Sequence, residues 1–429
     1  MLTQLKRPLR RAAMKPWVWV LVVATLFSAA QLTAAPGKFY PDSAQYLAQT
    51  LDLLGDSRQA DRETTIQTYC DAYRRPRLMS PFGRPSESAD RAADACVRKL
   101  HAQNALTTEN RYGPGITRGS AILSPRYESI FLSRPGVAVI FAPGVAVLGP
   151  RMGMWLTTLI WTLIGSVFVF LLLRVVGTPL RQAVLGQVLF LILPPRYWTM
   201  APLAEGMTLT LVALALLGVA YTMTHRTRLG LALMAAAVGC GLFVKYSQFL
   251  LLAVALAGSA ALAALFARRA GHPTRRLLQV AGASAAAAVV LYAVSTALGW
   301  PGGAESMQDL ATEHFRRPDV PDPTLHWLRS NARFWVSWAG DQLAAPLLLA
   351  TWAVAAWGVI RSRTVVGFAI FATALAGVGN QIGHPDASQA DRLILVAWLL
   401  TVYGLPLLLA DRNRLAGARP RATQAAAGR

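Results

Sequence analysis

Ionisable residues that could do chemistry recur beside the ends of apolar segments. Asp42 follows the first such segment in KFYPDSAQYL, Glu205 opens a later one in PLAEGMTLTL, and Lys245 closes the next in GLFVKYSQFL. A carboxylate can accept the proton of an attacking hydroxyl, whereas ammonium and guanidinium groups bind phosphate. Arg134 and Arg392 supply two guanidinium groups at comparable positions. These residue types indicate proton transfer beside a bound anion.

Each of these residues also has a purely structural interpretation. Asp42, with Gln45 three residues later, has the pattern of a capping box at a helix N-terminus. Glu205 lies where the helix dipole favours an acid in the first turn. Lys245 and the two arginines can extend their charged ends from an apolar segment towards water. The positions of these residues relative to one another must therefore decide between the two interpretations.

The elements that would position these residues are apolar runs long enough to cross a membrane. The 429-residue chain is 54% hydrophobic and 15% charged, whereas about 25% charged residues is usual in soluble domains. Lipid offers no hydrogen-bond partners to the backbone, so an apolar run of about 20 residues must be helical. We predict an all-α polytopic membrane protein with about ten transmembrane helices, at 17–35, 152–173, 182–198, 203–223, 229–246, 247–267, 277–298, 343–360, 364–383 and 392–410.

The topology depends on one short apolar segment, 135–149, which contains two Pro-Gly pairs. It is shorter than a typical spanning helix, so we predict that it lies along the membrane surface or re-enters the membrane. One side of the membrane then receives 20 of the 42 basic residues and only one of the 21 acidic residues. Because cytoplasmic loops carry the excess of Lys and Arg, we predict a multi-pass protein of the inner or plasma membrane with both termini cytoplasmic. The net charge of +21 reflects this topology, and we expect no nucleic-acid partner.

Two long segments then lie on the extracytoplasmic side. The first contains Cys70 and Cys96, and because exported loops meet an oxidising compartment we predict a disulfide bond between them; two free thiols are the alternative. The second ends in a Trp-rich amphipathic run, which is typical of a helix lying in the membrane interface.

The first span is predicted to be an uncleaved anchor, with a cleaved signal peptide as the alternative. The predicted regions are the cytoplasmic N-terminus with the first transmembrane helix (1–35), a large extracytoplasmic loop with interfacial helices (36–151), a transmembrane bundle (152–298), a second extracytoplasmic loop (299–342), C-terminal transmembrane helices (343–410) and a basic cytoplasmic tail (411–429).

The order of these motifs resembles that of the GT-C superfamily of membrane glycosyltransferases, which includes protein O-mannosyltransferases and the aminoarabinose transferase of lipid A. The resemblance covers about residues 37 to 410: an acidic motif in a long first loop, an RPG segment, an acid opening a later span, a Lys ending the next and an Arg in ADRLILVAW. It implies a GT-C-like bundle. It also implies transfer of a sugar from a polyprenyl-phosphate donor to a hydroxyl of a lipid, glycan or protein acceptor.

The resemblance implies a role for each candidate residue. Asp42 matches the catalytic acid of the first loop, and Glu205 matches the acid at the start of a later span, as an orienting or second acid. Arg134 matches the basic residue before the interfacial segment, Lys245 the residue that meets the donor phosphate, and Arg392 the Arg of a late motif. We therefore expect Asp42 to be the base and the three cations to bind the lipid phosphate. The donor's apolar tail would remain among the membrane lipids.

Two departures from the family pattern affect the cofactor and the alternatives. Ser43 follows Asp42 where many relatives have a second acid, and Leu393 follows Arg392 where relatives have Tyr. No Cys or His spacing typical of a metal site occurs, so a divalent metal is a candidate cofactor without an assigned ligand.

Two other functions stay open: a transporter or lipid flippase without glycosyl transfer, and a non-catalytic assembly protein. The near absence of charge inside the predicted spans argues against ion-coupled transport. An enzyme should gather Asp42, Glu205, Lys245 and Arg392 around one cavity.

Overall fold

The described parts of the first loop, predicted to be extracytoplasmic, are helical, as are the apolar segments. The computed structural model describes residues 15–33, 39–74, 87–110, 125–224 and 226–417, and none of these residues is in a β-strand. The predicted N-terminal segment 1–14 and the end of the tail, 418–429, lie outside the described residues. The first helices are α1 (Pro16–Thr33), α2 (Pro41–Leu54), α3 (Arg58–Cys70), α4 (Glu87–Asn110) and α5 (Pro125–Leu132).

A disulfide bond joins α3 to α4 within the large N-terminal loop. It links Cys70, the last residue of α3, to Cys96, as the sequence predicts. Cys70 is fully buried, and a 3₁₀ turn, Asp71–Arg74, follows it directly. The bond therefore fastens together two helices that are far more polar than the rest of the chain.

Helix α6 (Pro135–Val175) is a helical hairpin that reverses at Gly149. Gly149 has φ 74° and ψ 172°, a conformation that is accessible almost only to glycine. A side-chain carbon at Gly153 would lie 2.3 Å from the carbonyl carbon of Gly144, although residues nine apart in a straight helix are about 13 Å apart. The segment 135–149, predicted to lie along the membrane or to re-enter it, therefore forms the first arm of this hairpin.

A second hairpin follows three helices later. Helices α7 (Leu180–Ile192), α8 (Pro195–Thr199) and α9 (Ala204–Thr224) lead into α10 (Thr227–Arg269). Lys245 interrupts α10 with φ −163° and ψ 71°. A side-chain carbon at Gly241 would lie 2.4 Å from the ring of Phe249, so the arms on either side of Lys245 fold back on each other. This matches the tight turn predicted between segments 229–246 and 247–267.

The C-terminal part contains two consecutive helices that lie nearly perpendicular to each other. The remaining helices are α11 (Arg275–Ala297), α12 (Gly303–Ala311), α13 (Pro323–Ala344), α14 (Leu347–Ser362), α15 (Gly367–Gly383), α16 (Ala390–Leu393) and α17 (Leu399–Gly417). Helices α13 and α14 meet at 86°, the geometry expected if α14 crosses a membrane and α13 lies along its surface. Phe334 is the single buried side chain of α13. Helix α17 runs into the predicted tail 411–429, whose first residues are therefore helical.

Fewer helices meet the length and composition expected of a membrane span than the sequence suggests, when each helix is tested as a whole. Four helices, α6, α9, α10 and α11, are long and apolar enough to cross a membrane, and two bent pairs raise the number to six. Three further apolar helices, α1, α7 and α15, are shorter. The predicted count of about ten divides α10 at Lys245 and includes these short helices. That count is not confirmed, whereas several apolar helices fit a multi-pass membrane protein.

Helix α9 lies at the centre of the bundle. Nearly every residue of its first four turns is buried, and its apolar residues occur on all sides, which is typical of a helix enclosed by others. Gly218 of α9 packs against Gly230 of α10 closely enough to exclude any side chain. The charged group at the start of α9, Glu205, therefore begins the most enclosed helix of the molecule.

Candidate functional site

Four of the residues predicted from the sequence form one continuous chain of ion pairs. Glu205 Oε1 accepts hydrogen bonds from Lys245 Nζ at 3.1 Å and from Arg392 Nε at 2.6 Å. The same Arg392 contacts Asp42 Oδ2 through Nη2 at 2.6 Å. These residues come from α2, α9, α10 and α16. The fold thus brings together side chains from the first loop, the middle of the chain and its last helices.

The local structure places each charge at the start, break or end of a helix. Glu205 lies in the first turn of α9, Lys245 at the break of α10, and Arg392 in the single-turn helix α16. At these positions the backbone leaves the regular helix, so a charged side chain can turn towards its neighbours instead of lipid. This explains why the span interiors themselves are almost free of charge.

The capping-box interpretation of Asp42 is wrong. Helix α2 begins at Pro41 and its cap is Tyr40, whose backbone N–H donates to Ser43 Oγ at 3.1 Å. Asp42 occupies the first turn, and its Oδ2 contacts Arg392. The carboxylate therefore belongs to the charged cluster, and the Ser43 hydroxyl accepts the backbone N–H of the cap residue.

Exposure increases from Glu205 through Arg392 to Asp42. The side chains of Glu205, Lys245, Arg392 and Asp42 are 2%, 9%, 11% and 19% exposed. Buried charges need partners, and Glu205 supplies one to both cations. Its other oxygen, Oε2, is buried and has no hydrogen-bond partner among the described residues. Glu205 thus holds the two cations in place, and Asp42 is the carboxylate nearer to solvent.

Arg134 stands beside the chain without being part of it. It precedes α6, and its Nη1 donates to the Tyr46 hydroxyl at 2.8 Å. Burial raises the pKa of Tyr46 above its ordinary value, so the phenol stays neutral. Arg134 has no ion-pair partner within the part of the chain that the structure describes. A partly buried guanidinium group with a neutral partner favours a negatively charged ligand.

A cavity of about 160 Å³ adjoins the cluster. Its lining includes Asp42, Arg134, Lys245 and Arg392, whereas Glu205 lies behind them. Four of the five predicted residues therefore face one space. The other polar lining residues are Tyr127, Ser247, Ser306, Asp309, His314, Asn380, His384 and Gln389.

A larger apolar groove opens beside this cavity. Its volume is about 390 Å³, and it runs between the second arm of α10, α11 and α12. Leu250, Tyr292 and Trp300 are among its lining residues. Arg134 and His384 line both spaces, so the groove meets the polar cavity at a cationic side chain.

Three further residues that line the cavity are not indicated by any pattern in the sequence. Asp309 lies in the last turn of α12, His314 lies in the turn that follows, and Tyr127 belongs to α5. Asp309 and His314 are five residues apart, but the spacing matches no motif, and the second loop was interpreted only as an interfacial element. Tyr46, the partner of Arg134, likewise stands in the KFYPDSAQYL motif without a signal that distinguishes it from a packing residue.

The candidate divalent metal finds no ligand set in the residues that the structure describes. No group of three or more His, Cys, Asp or Glu side chains is arranged there to hold an ion. The third cysteine, Cys240, is free and exposed, on the first arm of α10.

Comparisons with known proteins do not assign the chain to a family. No family model matches it, and neither curated proteins nor solved structures give a significant match. The function must therefore be inferred from the geometry of the cavity, its charges and the groove beside it.

Proposed function

We propose that the protein is a membrane glycosyltransferase of the GT-C type, which transfers a sugar from a polyprenyl-phosphate donor to an acceptor hydroxyl at the extracytoplasmic face. The proposal includes a bundle of about ten transmembrane helices, both termini in the cytoplasm and a location in the inner or plasma membrane. The observation that supports it most is the ion-pair chain from Asp42 to Lys245, which borders a cavity that shares lining residues with an apolar groove.

The groove suits the tail of the donor, and its junction with the cavity suits the phosphate. Leu250, Tyr292 and Trp300 offer an apolar lining to a polyprenyl chain. Arg134 stands at the junction, and Lys245 lines the cavity beyond it. A lysine ammonium group has three donors and an arginine guanidinium group has five. Lys245 therefore keeps donors for an anion after its bond to Glu205.

The same arrangement supports a transfer mechanism. The acceptor oxygen forms a bond to the anomeric carbon of the sugar as its own O–H bond breaks, and Asp42 takes the proton. The bond between the anomeric carbon and the phosphate oxygen breaks, and the lipid phosphate leaves with the electron pair. Lys245 and Arg134 stabilise the charge that develops on that oxygen. Glu205 is a positioning residue, because it holds Lys245 and Arg392 from behind.

The test uses the full-length protein in lipid nanodiscs, a panel of synthetic radiolabelled polyprenyl-phosphate sugars and an envelope-membrane extract as the source of acceptors. The wild-type protein should move the label from lipid phosphate to a new product. Asp42→Asn should reduce this transfer by on the order of 100-fold or more, because a general base contributes that much. Asp56→Asn is the matched control, since Asp56 is an exposed acid just beyond the same helix and should transfer normally.

Two outcomes would contradict the proposal in different ways. Undiminished transfer by Asp42→Asn would remove Asp42 from the catalytic role. If the wild-type protein transfers no sugar from any donor, the enzyme proposal fails. Movement of an intact labelled donor between leaflets, without cleavage, would then favour the flippase alternative. Mass spectrometry of envelope glycans and glycolipids from cells with and without the protein identifies the acceptor.

A further inference from the structure

The turn after α12 has a backbone that L-amino acids rarely adopt. Glu313, His314 and Phe315 have φ angles of 53°, 63° and 55°. Left-handed conformations are disfavoured for residues with a Cβ atom and occur as single residues rather than in runs. In the described part of the chain, no other non-glycine run has positive φ. Strain of this kind persists where the surroundings fix it, and it clusters at functional sites.

Several contacts fix this turn. The His314 backbone N–H donates to the Asp309 carbonyl at 2.9 Å, and the Phe315 N–H donates to Thr312 Oγ1 at 3.0 Å. Phe315 is buried, and the guanidinium group of Arg126 lies 4.4 Å from the centre of its ring. The turn is thus fastened both to α12 and, through Arg126, to α5 of the first loop.

The result of the turn is an imidazole that faces the cavity with a carboxylate behind it. His314 Nδ1 lies 3.1 Å from Asp309 Oδ1, and the Asp309 side chain is only 7% exposed. The Tyr127 ring packs 4.6 Å from the imidazole. When Nδ1–H donates to a carboxylate, Nε2 carries the lone pair and can accept a proton. His314 Nε2 has no hydrogen-bond partner among the described residues, and His314 lines the same cavity as Asp42.

The charges around His314 favour its protonated form. The hydrogen bond that His314 donates to Asp309 raises the pKa of His314 most, and the charges of Asp309 and Asp42 raise it further, whereas burial and Arg316 lower it. Tyr127, from α5, adds a neutral ring, because burial raises its own pKa. His384, at the end of α15, also lines the cavity, and burial lowers its pKa. The first loop thus supplies Asp42 to the cavity as an acid–base group, and the second loop supplies His314.

We propose that His314, supported by Asp309, is a second proton acceptor that takes the acceptor's proton from Asp42 and releases it to the extracytoplasmic solution. The inference rests on the proposed glycosyl transfer. The O–H bond of the acceptor breaks, Asp42 holds the proton, and Nε2 of His314 then binds it, directly or through one water molecule. Asp42 returns to a carboxylate, and the imidazolium is paired with Asp309 until it loses the proton to solvent.

The exposure of the groups and the ion pairs both support this direction. The His314 side chain is 34% exposed and that of Asp42 is 19% exposed, so the proton moves towards water. A protonated Asp42 would also lose its ion pair with Arg392, whose side chain is only 11% exposed. Rapid removal of the proton restores that pair before the next donor enters.

The test replaces the imidazole in a way that the backbone tolerates. His314→Gly suits a φ of 63° and leaves space for free imidazole. The full-length variant in nanodiscs should transfer sugar at least about 10-fold more slowly than the wild-type protein, within the range of acid–base groups. Added imidazole should restore transfer in proportion to its neutral fraction. Glu313→Gly is the matched control, because it introduces glycine in the same turn and keeps His314, and it should transfer normally.

The pH profile separates an acid–base role from a structural one. Transfer by the wild-type protein should fall as the pH falls through the pKa of His314, because the protonated imidazole cannot accept a proton. Asp309→Asn removes the group that raises this pKa most, so the fall should shift to lower pH. The inference is overturned if His314→Gly transfers normally, if Glu313→Gly loses as much, or if imidazole has no effect. A wild-type protein that transfers no sugar overturns the proposed function itself.

Discussion

In the part of the chain that the structure describes, two helices reverse direction at an internal break, and different residues set the two reversals. In α6 the reversal occurs at Gly149, where a side chain would meet open space, and the arms touch through Gly144 and Gly153. In α10 it occurs at Lys245, whose side chain is 9% exposed and paired with Glu205. The first reversal is set by glycine geometry. The second is tied to a charge, and that charge belongs to the site.

The largest effect is expected from removing the charge at the second reversal. Lys245→Met takes one cation from a buried cluster and should lower the free energy of unfolding by about 3 kcal/mol, since Glu205 and Asp42 then share Arg392 and one negative charge is uncompensated. Transfer should be lost as well. Thermal unfolding in detergent, followed by intrinsic tryptophan fluorescence, measures the first effect, and the nanodisc assay measures the second.

A double variant distinguishes the two roles of Lys245. Lys245→Met combined with Glu205→Gln removes the uncompensated charge, so the double variant should recover part of the stability of the wild-type protein. It should not recover transfer, because the phosphate partner is still missing. If transfer returns together with stability, Lys245 is a structural cation and the comparison between the two reversals loses its functional meaning.

A smaller loss of stability is expected from the first reversal. Gly153→Ala places a methyl group 2.3 Å from the backbone of Gly144, and the arms must separate at a cost of about 2 kcal/mol. Gly239→Ala is the control, since a side chain there meets nothing within 4 Å and alanine favours the helix. The same unfolding measurement should place Gly153→Ala below the wild-type protein and Gly239→Ala at or above it. Equal midpoints for the two variants would mean that the glycine contact does not hold the arms together.

The smallest effect is expected at the turn itself. Gly149→Ala must adopt φ 74° and ψ 172°, which costs about 1 kcal/mol for a residue with a side chain. The rate of transfer per folded molecule should not change, because Gly149 does not line the cavity. A loss of transfer comparable to that of Lys245→Met would show that both reversals serve the site.

The sequence predicts the features that depend on composition or on single charged residues at the ends of apolar segments. The approximate bounds of most apolar helices, the reversal at Lys245 and the Cys70–Cys96 bond follow in this way. The gathering of Asp42, Glu205 and Arg392 also follows, because each lies where a predicted span begins or shortly after one ends. A charge in such a sequence is conspicuous, and its level relative to the membrane can be inferred from the neighbouring apolar run.

Other features depend on contacts between distant segments or on backbone conformation, and no local pattern reveals them. The packing of Gly144 on Gly153 could not be inferred, because Pro143 beside it suggests an interruption where the helix in fact continues. The left-handed turn that presents His314 contains none of the glycine or asparagine residues that usually mark such a conformation. The sequence places the cap of α2 at Asp42 because Asp is a common N-cap residue, whereas the structure places the cap at Tyr40, with Ser43 accepting its backbone N–H.

The ion-pair chain also has a consequence for how the protein is made. Glu205 precedes Lys245 by 40 residues and Arg392 by 187. Charged groups enter a bilayer at high cost when they are alone. Glu205 and Lys245 belong to consecutive helices, so they can be inserted as a neutral pair during synthesis. Arg392 arrives with the last helices, and a chain that stops before them is an inserted membrane protein without its complete charged cluster.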